Sequence, residues 1–131
     1  MLRRAYLASR YEVAGVRFRI GRRSPGIDAL LARLGARQGA LLGAWNPQSR
    51  RMPPGWNRRA EARLRAAAAG LPFAEGWGGT PHWREHHLLI AGDPRRLARL
   101  GRRFRQRAML VLVQGRPPRL VWLRGGGSDG R

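Results

Sequence analysis

Five polar side chains that could form one site lie near the ends of predicted strands and helices: Asn46, Ser49, Asn57, Glu85 and Gln106. Amide and hydroxyl groups can fix a ligand by hydrogen bonds, and Glu85 could act as an acceptor or as a general base. These groups meet at one sheet edge only if the strands near Leu41, His87 and Ala108 are neighbours. With that arrangement, the set predicts a ligand-binding pocket, or a small enzyme in which Glu85 is the catalytic residue.

The same residues also have a structural interpretation. Asn46 belongs to an Asn-Pro turn before a predicted helix, and Asn and Ser are common capping residues. In this interpretation Asn46 and Ser49 cap the helix, Asn57 bonds the loop and Gln106 closes a later helix. The sequence favours neither interpretation over the other.

Arginine provides a second candidate site. The chain of 131 residues has 27 basic residues, all of them Arg, against seven acidic ones, and its formal net charge is +20. Such an excess favours an anionic partner, either nucleic acid or a phosphorylated ligand, with an acidic protein as a further alternative; a solvated surface without a specific partner is the other interpretation. A predicted helix that begins at Asp93 would present four arginines to this partner: Arg95, Arg99, Arg102 and Arg103.

Other chemistry is disfavoured by the sequence. There is no cysteine, which excludes disulfides, thiolate metal sites and cysteine nucleophiles. His82, Glu85 and His86 have the spacing of inverted zinc peptidases, but that chemistry needs a helix and a downstream carboxylate ligand. The segment after His87 is typical of a strand, and no Glu follows Glu85. The sequence therefore predicts no metal site and no cofactor.

The elements that would position these residues follow from periodicity and from capping signals. Ser24-Pro25 and Asp93-Pro94 each combine an N-cap residue with proline at the first helical position. Residues 71–83 are rich in glycine and predict a loop or an irregular hairpin. Strands are predicted at 11–20, in one or two pieces, and at 39–45, 87–91, 108–113 and 120–123, and helices at 25–34, 54–69 and 94–107.

This order predicts an α+β or α/β fold, with a single mixed β-sheet and about three helices packed on it. Residues 1–124 are predicted to form one globular domain, and residues 125–131 a flexible Gly-rich tail. No apolar run is long enough to span a bilayer, so no membrane partner is expected. The absence of cysteine fits a cytoplasmic location.

Several short segments resemble a bacterial family catalogued as domain of unknown function 3293. The resemblance spans residues 11–123 and rests on Tyr11, Gly21, the Ala44-Trp45-Asn46-Pro47 segment with Ser49, Asn57, Trp83-Arg84-Glu85 and the segment 104–108. It implies that Asn46, Asn57, Glu85 and Gln106 belong together, and it implies no particular reaction.

The chain departs from the family pattern at four positions. Where that family has Thr, Ser and Asn, this chain has Gly43, His87 and Arg107. The family segment Phe-Gly-Gln-Asn-Ala also places Gly where this chain has Arg105. Three polar members of the family set are therefore replaced.

Overall fold

One antiparallel sheet of seven strands organises the molecule. The structure, a computed structural model, describes residues 2–123. The strands are β1 (Arg10–Val13), β2 (Val16–Phe18), β3 (Gln38–Gly43), β4 (Phe73–Thr80), β5 (Trp83–Ala91), β6 (Ala108–Val113) and β7 (Arg119–Trp122). Their order across the sheet is β2-β1-β4-β5-β3-β6-β7, and every neighbouring pair is antiparallel. Strands β5, β3 and β6 are therefore adjacent, as a shared site requires.

Four helices accompany the sheet: α1 (Leu2–Ala8), α2 (Pro25–Arg33), α3 (Pro54–Ala67) and α4 (Pro94–Arg103). The predicted caps are present. Ser24 Oγ accepts a hydrogen bond from the Ile27 N–H at 3.2 Å, and Asp93 Oδ1 accepts one from the Arg95 N–H at 2.9 Å. These bonds satisfy N–H groups that would otherwise lack a partner at the start of α2 and α4.

The sheet packs helices on both faces. On one face, which we call the α2 face, Leu31 of α2 belongs to a buried cluster with Leu41, Leu89 and Leu110. On the other, the α3/α4 face, the buried side chains include Ala40, Leu42, Leu64, Leu88, Ile90 and Leu97. Consecutive residues of a strand point to opposite faces, so neighbours in the chain enter different environments.

The α+β class with a single sheet is confirmed, whereas the mixed sheet expected from the sequence is antiparallel throughout. Of the two alternatives predicted for residues 71–83, the hairpin is correct and the loop is wrong, because β4 (Phe73–Thr80) pairs antiparallel with β5, which begins at Trp83. The glycines of β4 make room for β1: a Cβ on Gly78 would lie 2.5 Å from Tyr11 Cδ1. They meet a packing requirement inside a strand and do not mark a turn.

Two further sequence predictions concern the chain ends and a membrane. In residues 2–123, no helix combines the length and the apolar character that crossing a bilayer requires. The tail predicted at 125–131 lies outside the described residues. Residues 1–9, for which the sequence favoured neither a helical turn nor an extended segment, contain α1, whose Tyr6 ring meets the Trp122 ring edge-on at 5.4 Å.

Candidate ligand-binding site

Two buried asparagines hold the loop that follows β3. Asn57, near the start of α3, accepts a hydrogen bond from the Asn46 N–H at 3.0 Å and donates one to Asn46 Oδ1 at 3.1 Å. Asn46 Oδ1 also accepts a hydrogen bond from the Met52 N–H at 2.8 Å. Both asparagines are buried, with 6% and 5% of their surface exposed. Losing any of these bonds would leave a buried polar group without a partner, so the loop has one preferred conformation.

Asn46 in turn positions Glu85. Its Nδ2 donates to Glu85 Oε2 at 2.9 Å, and Trp83 Nε1 donates to the same oxygen at 2.7 Å. The other carboxylate oxygen, Oε1, has no hydrogen-bond partner among the described residues. Burial raises the pKa of Glu85, although the bonds from Asn46 and Trp83 and the charge of Arg51 act in the opposite direction. Glu85 is thus a fixed carboxylate with one oxygen left to accept a hydrogen bond.

Glu85 differs from every other acidic residue that the structure describes. Residues 2–123 contain six acidic residues. Five of them form an ion pair with an arginine: Glu12, Asp28, Glu61, Glu75 and Asp93. Glu85 forms no ion pair with any described residue, despite the net charge of +20. Glu85 is half-buried, and a carboxylate removed from part of its water without a paired cation is typical of a functional group.

Glu85 lines a cavity of about 300 Å³ on the α2 face. The polar side chains in the wall include Tyr6, Ser49, Trp83 and His87, and the apolar ones include Leu41 and Leu110. Burial raises the pKa of Tyr6, and the nearby charge of Glu85 raises it further, so the Tyr6 hydroxyl keeps its proton. The cavity therefore combines an apolar wall with one carboxylate and five hydroxyl-bearing side chains: Tyr6, Ser9, Tyr11, Ser49 and Thr80.

His87 contributes a neutral imidazole to the same wall. It lies two residues beyond Glu85 in β5, and therefore on the same face and about 7 Å along the strand. Burial, reinforced by the neighbouring His86, lowers the pKa of His87 to about 4, so the ring is uncharged at neutral pH. Its Nδ1 is enclosed and has no hydrogen-bond partner in residues 2–123. A buried polar atom of this kind requires an explanation, and a bound ligand would provide one.

The loop beside the cavity contains most of the backbone strain in the described chain. Five residues other than glycine have positive φ: three of them lie in this loop, Asn46 (48°), Gln48 (54°) and Ser49 (63°), and a fourth, Arg105 (55°), contacts the loop from the end of α4. Gln48 and Arg105 hold each other in place, because the Gln48 N–H donates to the Arg105 carbonyl at 2.8 Å. Strain that the surrounding structure maintains is common at functional sites.

The remaining polar residues of the predicted set have structural contacts. Gln106 is 7% exposed, and its Nε2 donates to the Trp45 carbonyl at 3.1 Å and to the Phe104 carbonyl at 3.2 Å. Gln106 thereby fixes the start of the loop through the Trp45 carbonyl, and it makes no described contact with Glu85. Ser49 lines the cavity, and its Oγ accepts a hydrogen bond from Arg107 Nε at 3.3 Å. Asn57 acts on the site only through Asn46.

The four arginines predicted on α4 lie elsewhere. They are exposed, and none of them lines the Glu85 cavity: Arg95, Arg99, Arg102 and Arg103. Helix α4 packs on the α3/α4 face, whereas the cavity lies on the α2 face. The two predicted sites are therefore separate surfaces of the molecule.

The sequence did not single out Tyr6, Trp83 or His87 as site residues. Trp83 and His87 could have been found from the sequence. If the strand predicted from His87 is extended towards the N-terminus, alternation places both residues on the same face as Glu85. Tyr6 could not have been found, because the sequence did not decide the conformation of residues 1–9. Alternation also places Glu85 and His86 on opposite faces, which separates the two adjacent members of the His-x-x-Glu-His pattern.

A second polar cluster lies on the α3/α4 face around His86. Its Nδ1 is 3.0 Å from Glu61 Oε1, and its Nε2 is 3.0 Å from Glu75 Oε1. Arg65 pairs with both glutamates, at 3.0 Å from Glu61 Oε2. The two carboxylates and His86 lie close enough to hold a metal ion, with ligand atoms within 4.8 Å of one another. The Arg65 guanidinium already supplies a positive charge to both carboxylates, so the geometry is that of an ion-pair network.

Two of the departures from the family pattern, Gly43 and His87, are in contact with each other. Gly43 and His87 lie directly opposite each other in β3 and β5. A Cβ on Gly43 would lie 3.0 Å from His87 Cδ2 and 3.4 Å from Gln106 Oε1. Glycine at position 43 therefore makes room for the imidazole at position 87. Arg107, the third departure, donates to the Gln48 carbonyl at 2.9 Å and so tightens the strained loop.

Comparisons with known proteins give one match. A family model described as "Protein of unknown function (DUF3293)" matches residues 42–109, just over half of the chain. The matched segment runs from β3 to β6 and contains Asn46, Asn57, Glu85 and Gln106. No curated protein and no solved structure matches the chain.

Proposed function

The chain belongs to the DUF3293 family of proteins of unknown function, as its motifs predicted, and we propose that it binds a small molecule in the Glu85 cavity. In this proposal Glu85 Oε1 accepts a hydrogen bond, and in an enzyme a proton, from the ligand. Asn46 and Trp83 hold the carboxylate in position through Oε2. Asn57 holds Asn46, and Gln106 holds the loop.

The observation that carries this proposal is the isolation of the Glu85 carboxylate. It forms no ion pair with a described residue in a chain with 27 basic residues, and one of its oxygens has no donor there. If its role were only structural, an arginine would be the expected partner of this carboxylate in so basic a chain. The raised pKa of Glu85 also makes its carboxylate a stronger base than an exposed glutamate.

The walls define the class of ligand. A volume of about 300 Å³ is at the lower end of the range for small-molecule pockets. Glu85 Oε1 selects an O–H or N–H donor, while Leu41, Met109 and Leu110 select an apolar body. We therefore infer a metabolite-sized alcohol, amide or amine with a hydrocarbon portion.

A thermal-shift screen with such alcohols, amides and amines tests the proposal. A ligand present at ten times its Kd stabilises the native protein by about 1.4 kcal/mol, which raises Tm by roughly 3–6 °C in a domain of this size. Compounds that stabilise the wild type are expected to lose this effect in Glu85→Gln, because the amide replaces the carboxylate with a weaker acceptor and with a donor.

Glu75→Gln is the matched control. It also replaces one glutamate by glutamine, but on the α3/α4 face, so it should leave the ligand-induced shift in Tm unchanged. Equal shifts in wild type and Glu85→Gln would contradict the proposal. So would a ligand whose NMR chemical-shift changes avoid β5 and the loop at 44–52.

A second candidate function, binding of an anionic ligand, is favoured by the distribution of charge. Of the arginines in residues 2–123, Arg65 and Arg107 are partly buried and all the others are exposed, far more than the six described acidic residues can neutralise. Arg96, Arg99 and Arg103 line a depression of about 370 Å³ at α4. Long-range attraction of anions is expected from this charge. Affinity for a generic oligonucleotide should fall steeply with salt, and no binding at low salt would contradict this candidate.

A further inference from the structure

Six arginines outside α4 line a depression with a volume of about 680 Å³. We call it the arginine groove, and its charged residues are Arg10, Arg17, Arg19, Arg22, Arg23 and Arg84, with Glu12 as the one acid. All six arginines are exposed. Arg17 and Arg23 approach acidic residues at 3.9 and 3.4 Å, and the other four form no ion pair with any described residue.

Part of the groove is an uncovered area of sheet around Trp77. In the register of β1, β2 and β4, Arg17 lies opposite Glu12, and Glu12 lies opposite Trp77. Arg10 and Arg84 both lie opposite Gly79. Opposite residues share a face, so Arg10, Arg17, Trp77 and Arg84 project together from the α3/α4 face.

Trp77 is one of the few large apolar side chains that remain exposed, with 37% of its surface accessible. Its ring is held edge-on by Trp45 at 5.5 Å and by His86 at 5.3 Å. The Arg84 guanidinium carbon lies 5.1 Å from the ring centroid. The ring is therefore held in place with the Arg84 guanidinium over one of its faces, and the planar guanidinium can in turn stack on a second flat group.

We propose that the arginine groove binds single-stranded nucleic acid, with phosphates paired to its arginines and a base stacked on Trp77 or on the Arg84 guanidinium. This rests on the second candidate function above and assigns it a surface and a ligand. Positive grooves with aromatic platforms are the usual way in which proteins hold single strands. A duplex does not offer the face of a base to such a platform, so the single strand is the expected ligand.

The α4 surface is the competing location. It has a comparable number of exposed arginines, but the depression there is lined by Ala67, Leu71, Leu97 and Leu100 and contains no aromatic side chain. Phosphates could bind there, but no aromatic ring lines the depression to stack on a base. The groove differs from α4 by Trp77 and not by charge, and that difference can be tested.

Two triple variants with the same change in charge separate the two surfaces. One is Arg10→Gln, Arg17→Gln and Arg84→Gln in the groove, and the other is Arg95→Gln, Arg99→Gln and Arg103→Gln on α4. Affinity is measured by fluorescence anisotropy with a labelled oligothymidylate of about 16 nucleotides. Salt is varied between about 50 and 200 mM. Thermal unfolding confirms that each variant is folded.

The groove variant is expected to lose affinity on the order of 100-fold and to have a salt slope smaller by about 2, because three phosphate contacts are removed. The α4 variant should change affinity by less than about tenfold, because it lowers only the net positive charge of the protein and removes no contact in the groove. Equal losses in the two variants would overturn the groove assignment while leaving anion binding intact. No binding by the wild type at low salt would overturn both.

Substitutions at Trp77 test the stacking contact separately from charge. Trp77→Leu is expected to weaken binding to the oligothymidylate by about 5- to 100-fold, and Trp77→Phe, which retains a ring, by much less. The salt slope should be unchanged in both, because no charge is altered. Equal affinities of the two variants, equal affinity for a duplex, or equal competition by polyglutamate would each overturn the proposal.

Discussion

Glu85 and His86 are adjacent in the chain and meet opposite environments. On the α3/α4 face, His86 lies between Glu61 and Glu75, and Arg65 pairs with both glutamates. On the α2 face, Glu85 has two neutral donors on one oxygen, none on the other, and no ion pair with a described residue. Strand β5 thus lies between two polar clusters: around His86 the charged groups are paired with one another, whereas Glu85 has one oxygen without a described partner.

The two clusters also shift the pKa of a glutamate in opposite directions. The pKa of Glu75 is lowered, mainly by its bond to Arg65 and then by His86. The pKa of Glu85 is raised, mainly by burial. Groups that satisfy one another contribute to stability, whereas a group left unsatisfied costs stability and is retained for another reason. The contrast is the basis for proposing that the His86 cluster serves stability and that the Glu85 cluster binds a ligand.

The largest expected effect is loss of stability in His86→Ala. His86 is 6% exposed, and truncation removes both hydrogen bonds to the glutamates and empties the space beside Trp45 and Trp77. We expect the free energy of unfolding in urea to fall by about 2–4 kcal/mol. The control is His82→Ala, an exposed site, with an expected change within about 0.5 kcal/mol. A loss as small as that of the control would remove the distinction between the two clusters.

A smaller change in stability is expected for Glu85→Gln, and its sign depends on pH. Because the folded-state pKa of Glu85 is raised, the wild type binds an extra proton on folding just above the unfolded pKa of about 4.5. The stability that the protonated Glu85 allows is therefore fully present below pH 4.5, and it is lost as pH rises through the folded-state pKa. Glu85→Gln lacks this titration, so its stability relative to wild type should improve as pH rises. At pH 7 we expect it to lie within about 1 kcal/mol of wild type.

Glu75→Gln supplies the contrasting pH profile. The folded-state pKa of Glu75 is lowered, so its contribution is present above the unfolded pKa of about 4.5 and is lost as pH falls through the folded-state pKa. The variant should be less stable than wild type at pH 7, and the difference should vanish in acid. Urea unfolding between pH 3 and 8, with both variants, measures the two slopes. Slopes of the same sign would contradict the assignment of the two glutamates.

The smallest expected effect concerns the strain beside Glu85. Helices α2 and α4 end with the same hydrogen-bond pattern, Ala36 N–H to the Leu31 carbonyl and Gln106 N–H to the Gly101 carbonyl. The residue with positive φ is Gly35 in the first helix and Arg105 in the second. Arg105→Gly should therefore be about 1 kcal/mol more stable than Arg105→Ala, which keeps the unfavourable backbone conformation. Thermal unfolding measures the difference, and equal stability would show that position 105 is unstrained.

The helices and most strands could be predicted because their signals are local. Ser24-Pro25, Asp93-Pro94 and the apolar runs at β3 and β6 each specify their own conformation. For β4 the sequence left a loop and an irregular hairpin as alternatives, because its glycines fit a strand only when Tyr11 and Val13 of β1 are packed against them. The conformation of a glycine depends on its neighbours in space, and those neighbours lie more than 60 residues away in the chain.

The candidate site, too, depends partly on local sequence and partly on contacts between distant residues. The family and the excess of arginine follow from residue types and their order alone, whereas the sequence supports the grouping of Asn46, Asn57 and Glu85 only as one of two interpretations. Only the tertiary structure shows that Gln106 supports the loop, that Glu85 forms no ion pair with a described residue, and that Arg10, Arg17 and Arg84 lie around Trp77. Strand pairing and burial set these relations, and both depend on contacts between residues that are distant in the chain.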